Sequence, residues 1–264
     1  MGTAEIVTDA GRAYIKAIGN RQGPHGLACE LVGTQLARWF GLPVFDFAIL
    51  KLDDADEIPL PRGCSAQPGP AFVTRAERGH PWGGSTDELS MIVNPDDIAR
   101  MVVFDTWTEN CDRYPPDLIV RRPNYDNVFL SEEKAPAGQL RLIAMDHTHC
   151  FTCGRDLTQP VAHIKRTNDV RIYGLFPGFI PLVQKRRTVV EMAAKRLGQF
   201  DLGTCNAIVD SIPNEWEVSS ETRKGLCDLI CQRARFVADN VVDWLAPKCW
   251  PQEELDFEKQ GEEG

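Results

Sequence analysis

No apolar run in this chain approaches the ~20 residues that cross a bilayer as a helix, so a helical membrane span is not expected. The first residues lack the charged-then-apolar order of a secretory leader, and a soluble, cytoplasmic protein is the expectation. Internal repeats and low-complexity tracts are missing, which excludes solenoids and fibrous arrays. Basic excess is missing too: the net charge is −9 and the pI about 5.1, so the surface as a whole repels nucleic acid. Cys29, Cys64, Cys111, Cys205, Cys227, Cys231 and Cys249 show no paired zinc-ligand spacing of the CxxC kind, and most read as buried free thiols of a reducing compartment. Only Cys150-Phe-Thr-Cys153, preceded by His147 and His149, groups enough soft ligands for zinc. A structural finger takes its ligand pairs from separated segments, and the plainer reading of this stretch is a loop.

What is present suffices for one large domain or two lobes: 264 residues, 43% of them hydrophobic. Ile6 to Lys16 reads as a β-hairpin turning at Asp9-Ala10-Gly11. Gly19 to Gly26 reads as a loop, followed by a helix from about Leu27 to Phe40. Leu27, Leu31, Leu36 and Phe40 form its apolar face, and Gly41 with Pro43 ends it. Val44–Leu50 is a short strand, 52–70 a surface loop rich in Asp, Pro and Gly, and Ala71–Arg75 a strand again. After Gly84 the character changes. Asn94-Pro95-Asp96-Asp97 has the form of a helix start, with cap, proline and acids in the first turn. Paired strands are predicted at Asn127–Leu130 and Gln139–Ala144, then helices at roughly 180–198, 203–211 and 219–245. Residues 251–264 hold six acids against Lys259 and read as a solvated, poorly ordered tail. The expected division is 1–85, 86–250 and that tail.

The chemistry concentrates between 104 and 146. Phe104-Asp-Thr-Trp-Thr-Glu-Asn-Cys-Asp112-Arg113 puts an Asp-Arg after a helix. Asn127 opens one apolar strand, and Asp146-His147 closes another. Upstream, Lys16 ends a strand and Glu30 sits on an apolar helix face. Taken singly, Lys16 is an edge lysine and Asp112 a turn residue. Glu30 in apolar surroundings asks for a partner, and Asp146 behind a buried run asks for a cation. Asp105, inside a helix, reads as structural, and His147 and His149 as supports of the loop.

In this order the residues resemble the HipA-like kinases, a compact subgroup of the protein-kinase-like superfamily. The resemblance covers nearly the whole chain. It rests on Tyr14-Ile-Lys16-Ala-Ile-Gly-Asn-Arg-Gln-Gly-Pro-His-Gly-Leu-Ala-Cys-Glu30, on the Asp112-Arg113 and Ala144-Met-Asp146-His147 motifs, and on Ile212-Pro-Asn-Glu-Trp216. The Asp-Arg form is similar to lipid kinases as well. The resemblance implies an α+β, bilobal protein-kinase-like fold, with a small β-rich N-lobe carrying one inserted helix and a mostly helical C-lobe. It implies ATP with Mg²⁺ in the cleft and transfer of the γ-phosphate to a hydroxyl, often of a protein Ser or Thr. It further implies a protein substrate or an antitoxin-like partner. Lys16, oriented by Glu30, would grip the nucleotide phosphates; Asp112 would accept the acceptor's proton; Asn127 and Asp146 would ligate the metal. Thr74 and Arg75 fall at the interlobe hinge, where adenine is bound.

Two features depart from the pattern. The metal Asn ordinarily follows the catalytic Asp by about five residues, but here position 117 is Asp and Asn127 lies fifteen residues on. Tyr114–Asp126, with Pro115, Pro116, Pro123 and the pair Arg121-Arg122, reads as an insertion. Asn124 and Asp117 are rivals of Asn127 for the metal. Only Met1-Gly2-Thr3 precedes the first strand, so Gly19, Gly23 and Gly26 are the candidates for a phosphate loop. Arg121 and Arg122, beside the acceptor site, are candidates for recognising an anion. Besides a protein kinase, the residues allow a small-molecule kinase, a nucleotide-binding pseudokinase serving as an interaction module, and a zinc-stabilised binding protein.

Overall fold

Alternating exposed and inward residues at the start of the chain build a twisted sheet. The structure, a computed structural model, describes residues 3–119, 121–158 and 167–251. Strands β1 (Ala4–Thr8) and β2 (Gly11–Lys16) pair antiparallel around Asp9-Ala10, and Gly11 takes the positive φ of 116° that the turn requires. β3 (Phe47–Leu52) and β6 (Gly69–Arg75) complete a four-stranded sheet in the order β1-β2-β6-β3. Helix α1 (Gly23–Phe40) is inserted after β2. It begins four residues before the sequence suggests, because Pro24 fits a first turn that needs no N–H from it. Gly23 and Gly26 therefore lie in a helical turn rather than a loop. Gly41, at φ 91°, closes the helix.

The stretch 52–70 is more than a surface loop. β4 (Pro59–Leu60) and β5 (Cys64–Ser65) form a short hairpin over a Pro61–Gly63 turn. The Gln67 N–H donates to the Ile18 carbonyl at 2.9 Å and fastens the hairpin's exit to the segment after β2.

A second sheet, in the order β7-β8-β9, joins β7 (Gly79–Pro81), β8 (Val128–Ser131) and β9 (Arg141–Ala144). Short α2 (Thr86–Ser90) and long α3 (Asp96–Thr108) precede β8. Asn94 does not cap α3 with its side chain. Its amide is taken by β9 instead: Oδ1 accepts from the Leu142 N–H at 2.9 Å and Nδ2 donates to the Leu142 carbonyl at 3.0 Å. The remainder is helical: α4 (Ile180–Gln184), α5 (Arg187–Gly198), α6 (Leu202–Asp210) and α7 (Ser220–Cys249). The single helix expected over 180–198 breaks at Lys185-Arg186, where Arg186 leaves helical geometry at φ −133°. The predicted acidic tail lies, from 252 on, outside the described residues.

One apolar core runs from α1 (Leu27, Leu31, Leu36) through α3 (Phe104, Trp107) to α7 (Leu226, Val237, Val241). The buried Trp216, just before α7, ties the helical part to the first sheet, its indole N–H donating to the Pro70 carbonyl of β6 at 2.9 Å. Among the described residues no helix is long and apolar enough to cross a membrane. The result is a small β-sheet N-terminal region with one inserted helix and a mainly helical C-terminal part, as the sequence implies.

Candidate active site

Ile15 and Ala17 pack with Leu52 and Ala71 on one side of the sheet, so alternation turns Lys16 to the other side, toward Glu30 of α1. A buried ammonium needs partners, and this one has three: Glu30 Oε2 at 2.7 Å, Asp146 Oδ1 at 2.9 Å and Thr148 Oγ1 at 3.0 Å. The Thr148 hydroxyl also lies 2.8 Å from Glu30 and 2.7 Å from Asp146, and the His147 N–H donates to Glu30 at 3.1 Å. Burial alone would lower the Lys16 pKa, but Asp146 and Glu30 outweigh it and hold it above its ordinary value. Burial likewise opposes the Asp146 carboxylate, and Lys16 with Thr148 overcomes that and holds the carboxyl well below the usual range. Asp146 sits just past β9 in a left-handed conformation, φ 55°, that reverses the chain directly after the strand.

Asp112 gathers a second set. Glu109 turns the chain at the end of α3 with φ 51°, and the Asn110 side chain accepts from the Asp112 N–H at 3.2 Å. Asp112 Oδ2 accepts from Asn127 Nδ2 at 2.8 Å and Asn124 Nδ2 at 3.3 Å, with His149 Nδ1 3.2 Å away. Its Oδ1 pairs with Arg121 at 2.7 Å. Burial raises the Asp112 pKa, but His149, Arg121 and Asn127 outweigh it and hold it down at about 2. The excursion 114–126 thus folds back so that Asn124, Asn127 and Arg121 all reach one carboxylate. Asp117 lies on an exposed turn, accepting from the Ile119 N–H at 2.9 Å.

Arg113, fully buried, joins the two sets. It pairs with Asp105, donates through Nε to the Asn127 carbonyl at 3.1 Å and through its guanidinium to the Met145 carbonyl at 3.0 Å. One side chain therefore fixes the backbone entering β8 and the backbone before Asp146. Gly174, at φ 74°, leaves room for Asp105; a Cβ there would collide with its carboxylate.

Two cavities meet at Asp146, which lines both. The first, about 320 Å³, has apolar walls from Val44, Phe45, Phe72, Phe129 and Met145, and also meets Lys16 and Glu30. Thr74 and Glu77 line it, whereas the Arg75 guanidinium pairs with Glu133 at 3.2 Å. The second, about 390 Å³, is lined by Asn20, Arg21, Gln22 and Arg62, and by Asp112 with Arg121, Asn124 and His149. The proposed zinc ligands go to separate partners. His147 shares a hydrogen bond with Thr34 at 3.3 Å, Cys150 Sγ lies 3.5 Å from Thr108 Oγ1, and His149 faces Asp112. Burial pushes the His147 pKa well down and the Cys150 thiol well up.

The family model for HipA-like kinase matches residues 7–238. The chain belongs to the HipA-like kinase family. No curated protein matches it. Among solved structures the fold is similar to the Helicobacter pylori proinflammatory kinase CtkA, with a TM-score of 0.55 over 91% of this chain and 94% of that one, at 12% identity. Within a HipA-like frame, the structure brings together Lys16, Glu30 and Asp146, and separately Asp112 and Asn127. Thr148, Asn124 and Arg121 join these groups although no sequence spacing marks Thr148. Its place follows from the left-handed turn at Asp146, which no residue type signals.

Proposed function

We propose that this HipA-like protein is an ATP- and Mg²⁺-dependent phosphotransferase acting on a hydroxyl, in the first instance a protein serine or threonine. The observation that carries the reading is the Lys16–Glu30–Asp146 cluster at the junction of an apolar cavity and a polar one. The residues fit the nucleotide and metal. The apolar walls suit a planar base, and Lys16 suits the phosphates. Among the described residues no three His, Cys, Asp or Glu side chains group to hold a metal by themselves. That suits a magnesium held by one carboxylate, one amide oxygen and the phosphates it accompanies. Asp146 and Asn127 would hold the ion, which would neutralise phosphate charge. Glu30 orients Lys16 on the phosphates. The segment from Gly19 to Gly23 and the first turn of α1 at Gly26, free of acidic residues, would face the same phosphates with backbone N–H groups. Asp112, ionised at any physiological pH, accepts a hydrogen bond from the acceptor hydroxyl and orients it.

The cleft would lie between residues 1–85 and 86–250. Thermal shift tests the reading: ATP with Mg²⁺ should stabilise more than either alone, by about 2.7 kcal/mol at ~100-fold excess over Kd. No shift at millimolar concentrations of both removes the nucleotide. The Arg121–Asp112 pair at 2.7 Å favours one competing reading, a nucleotide-binding pseudokinase whose acceptor-side carboxylate is occupied. Transfer of labelled γ-phosphate decides between them.

A further inference from the structure

We infer that the second cavity selects a hydroxyl flanked by negative charge, a serine or threonine within an acidic segment of a protein. The inference rests on the kinase reading above and deepens it. Three arginines line this cavity: Arg21 from the segment after β2, Arg62 from the tip of the β4–β5 hairpin, and Arg121 from the excursion before β8. Arg121 is already held by Asp112. Among the described residues the side chains of Arg21 and Arg62 meet no carboxylate and make no hydrogen bond. In a chain where 38 acids face 29 bases, two unpaired guanidiniums from separate segments on one cavity are a concentration against the trend.

Their placement is built. The hairpin carrying Arg62 is fastened by the Gln67–Ile18 hydrogen bond of 2.9 Å. It also packs its Ser65 carbonyl against Gly19, where any Cβ would collide. Arginine's fork of donors matches a carboxylate or phosphate in two-point contact. A basic acceptor would bring its cations against these arginines, so the same groups that attract an acidic segment turn away a basic one. Arg122, which the sequence suggests as a partner of Arg121 here, is exposed and does not line the cavity.

The test is binding of short fluorescent peptides to the whole protein saturated with Mg²⁺ and ADP, so that it does not depend on turnover. One peptide has its serine flanked by glutamates, another by lysines, a third by phosphoserine. The acidic peptides should bind at least about tenfold more tightly than the basic one at low salt, despite the protein's own net charge, and the advantage should shrink as salt rises. Whichever of glutamate and phosphoserine binds more tightly names the anion. Arg62→Glu should abolish or invert the preference while the thermal shift given by Mg²⁺ and ADP stays. Arg62→Asn keeps the left-handed turn that Arg62 adopts at φ 64°, and should lose the preference without any fold defect. Equal binding of acidic and basic peptides by the wild type overturns the inference. So does an Arg62→Glu variant that loses nucleotide stabilisation yet keeps the preference, because Arg62 would then serve the nucleotide phosphates. If Mg²⁺ with ADP gives no shift at all, the nucleotide reading fails by itself and the peptide preference still decides this one.

Discussion

Asp112 and Asp146 are both aspartates beside the same junction, yet their partners differ, and the proposed roles differ with them. Asp146 contacts Lys16 and Thr148, while Asp112 contacts Asn127, Asn124, Arg121 and His149. Asp146→Asn should therefore abolish phosphotransfer and weaken Mg²⁺-dependent nucleotide binding. Asp112→Asn should abolish transfer with ATP affinity nearly intact. Equal losses of ATP affinity by calorimetry would sink the separation of roles. Asn127→Ala should cut transfer by several orders of magnitude and Asp117→Ala only mildly, since Asn127 is buried against Asp112 and Asp117 holds an exposed turn. Arg113 belongs to the frame of the site. Removing it leaves the fully buried Asp105 without its cation, and Arg113→Met should cost about 3–5 kcal/mol in urea unfolding. Burial already pushes the Asp105 pKa up in spite of Arg113, so the double variant Asp105→Leu with Arg113→Met should recover much of the loss. Glu30 and Asp146 stand out in the sequence because each is a charge set beside apolar residues, where lack of a partner is costly; Lys16 and Asp112, singly an edge lysine and a turn residue, stand out only through the order they share with the HipA-like motifs. Asp105 was legible only as structural, because its partner eight residues on takes a turn through Glu109 at positive φ to reach it.

At the scale of elements, periodicity placed the strands and the apolar faces of helices, since burial imposes it directly. Three boundaries escaped for local reasons. The start of α1 was hidden by Gly23 and Gly26, which read as loop until Pro24 is seen as a first-turn residue. The break at Lys185-Arg186 has no glycine or proline to announce it. The β4–β5 hairpin is two residues per strand, too short for alternation to show. That hairpin has a consequence at Gly19, whose φ of 95° and close approach to the Ser65 carbonyl both disfavour a side chain. Gly19→Val should displace the hairpin, expose the Gln67–Ile18 hydrogen bond to exchange, and weaken both acceptor and nucleotide binding, since Gly19 also opens the segment proposed to face the phosphates. Amide hydrogen exchange at Gln67 checks the first effect, and the KM values of acceptor and ATP the second. Unchanged protection at Gln67 would show that the close approach is not what seats the hairpin.

For the whole molecule, the buried charges of the junction set how stability depends on pH. Lys16 is held above its ordinary value, so its contribution is complete below the unfolded lysine pKa and is lost only as pH rises past it. The two aspartates act in the opposite sense. Their folded pKa values are depressed, so their contribution is complete above the ordinary carboxylate range and disappears as pH falls through it. For Asp112 the fall is from 3.8 to about 2, a contribution of about 2 kcal/mol at neutral pH, about half of it gone by about pH 3. Stability should therefore be flat across the neutral range and drop steeply below about pH 4. In Asp112→Asn the group that titrates is absent, so the drop between about pH 5 and pH 3 should be smaller than in the wild type by about 1 kcal/mol. Urea unfolding at those two pH values measures it. A variant that loses stability on acidification as steeply as the wild type would mean that His149, Arg121 and Asn127 do not hold the Asp112 carboxylate in the folded protein.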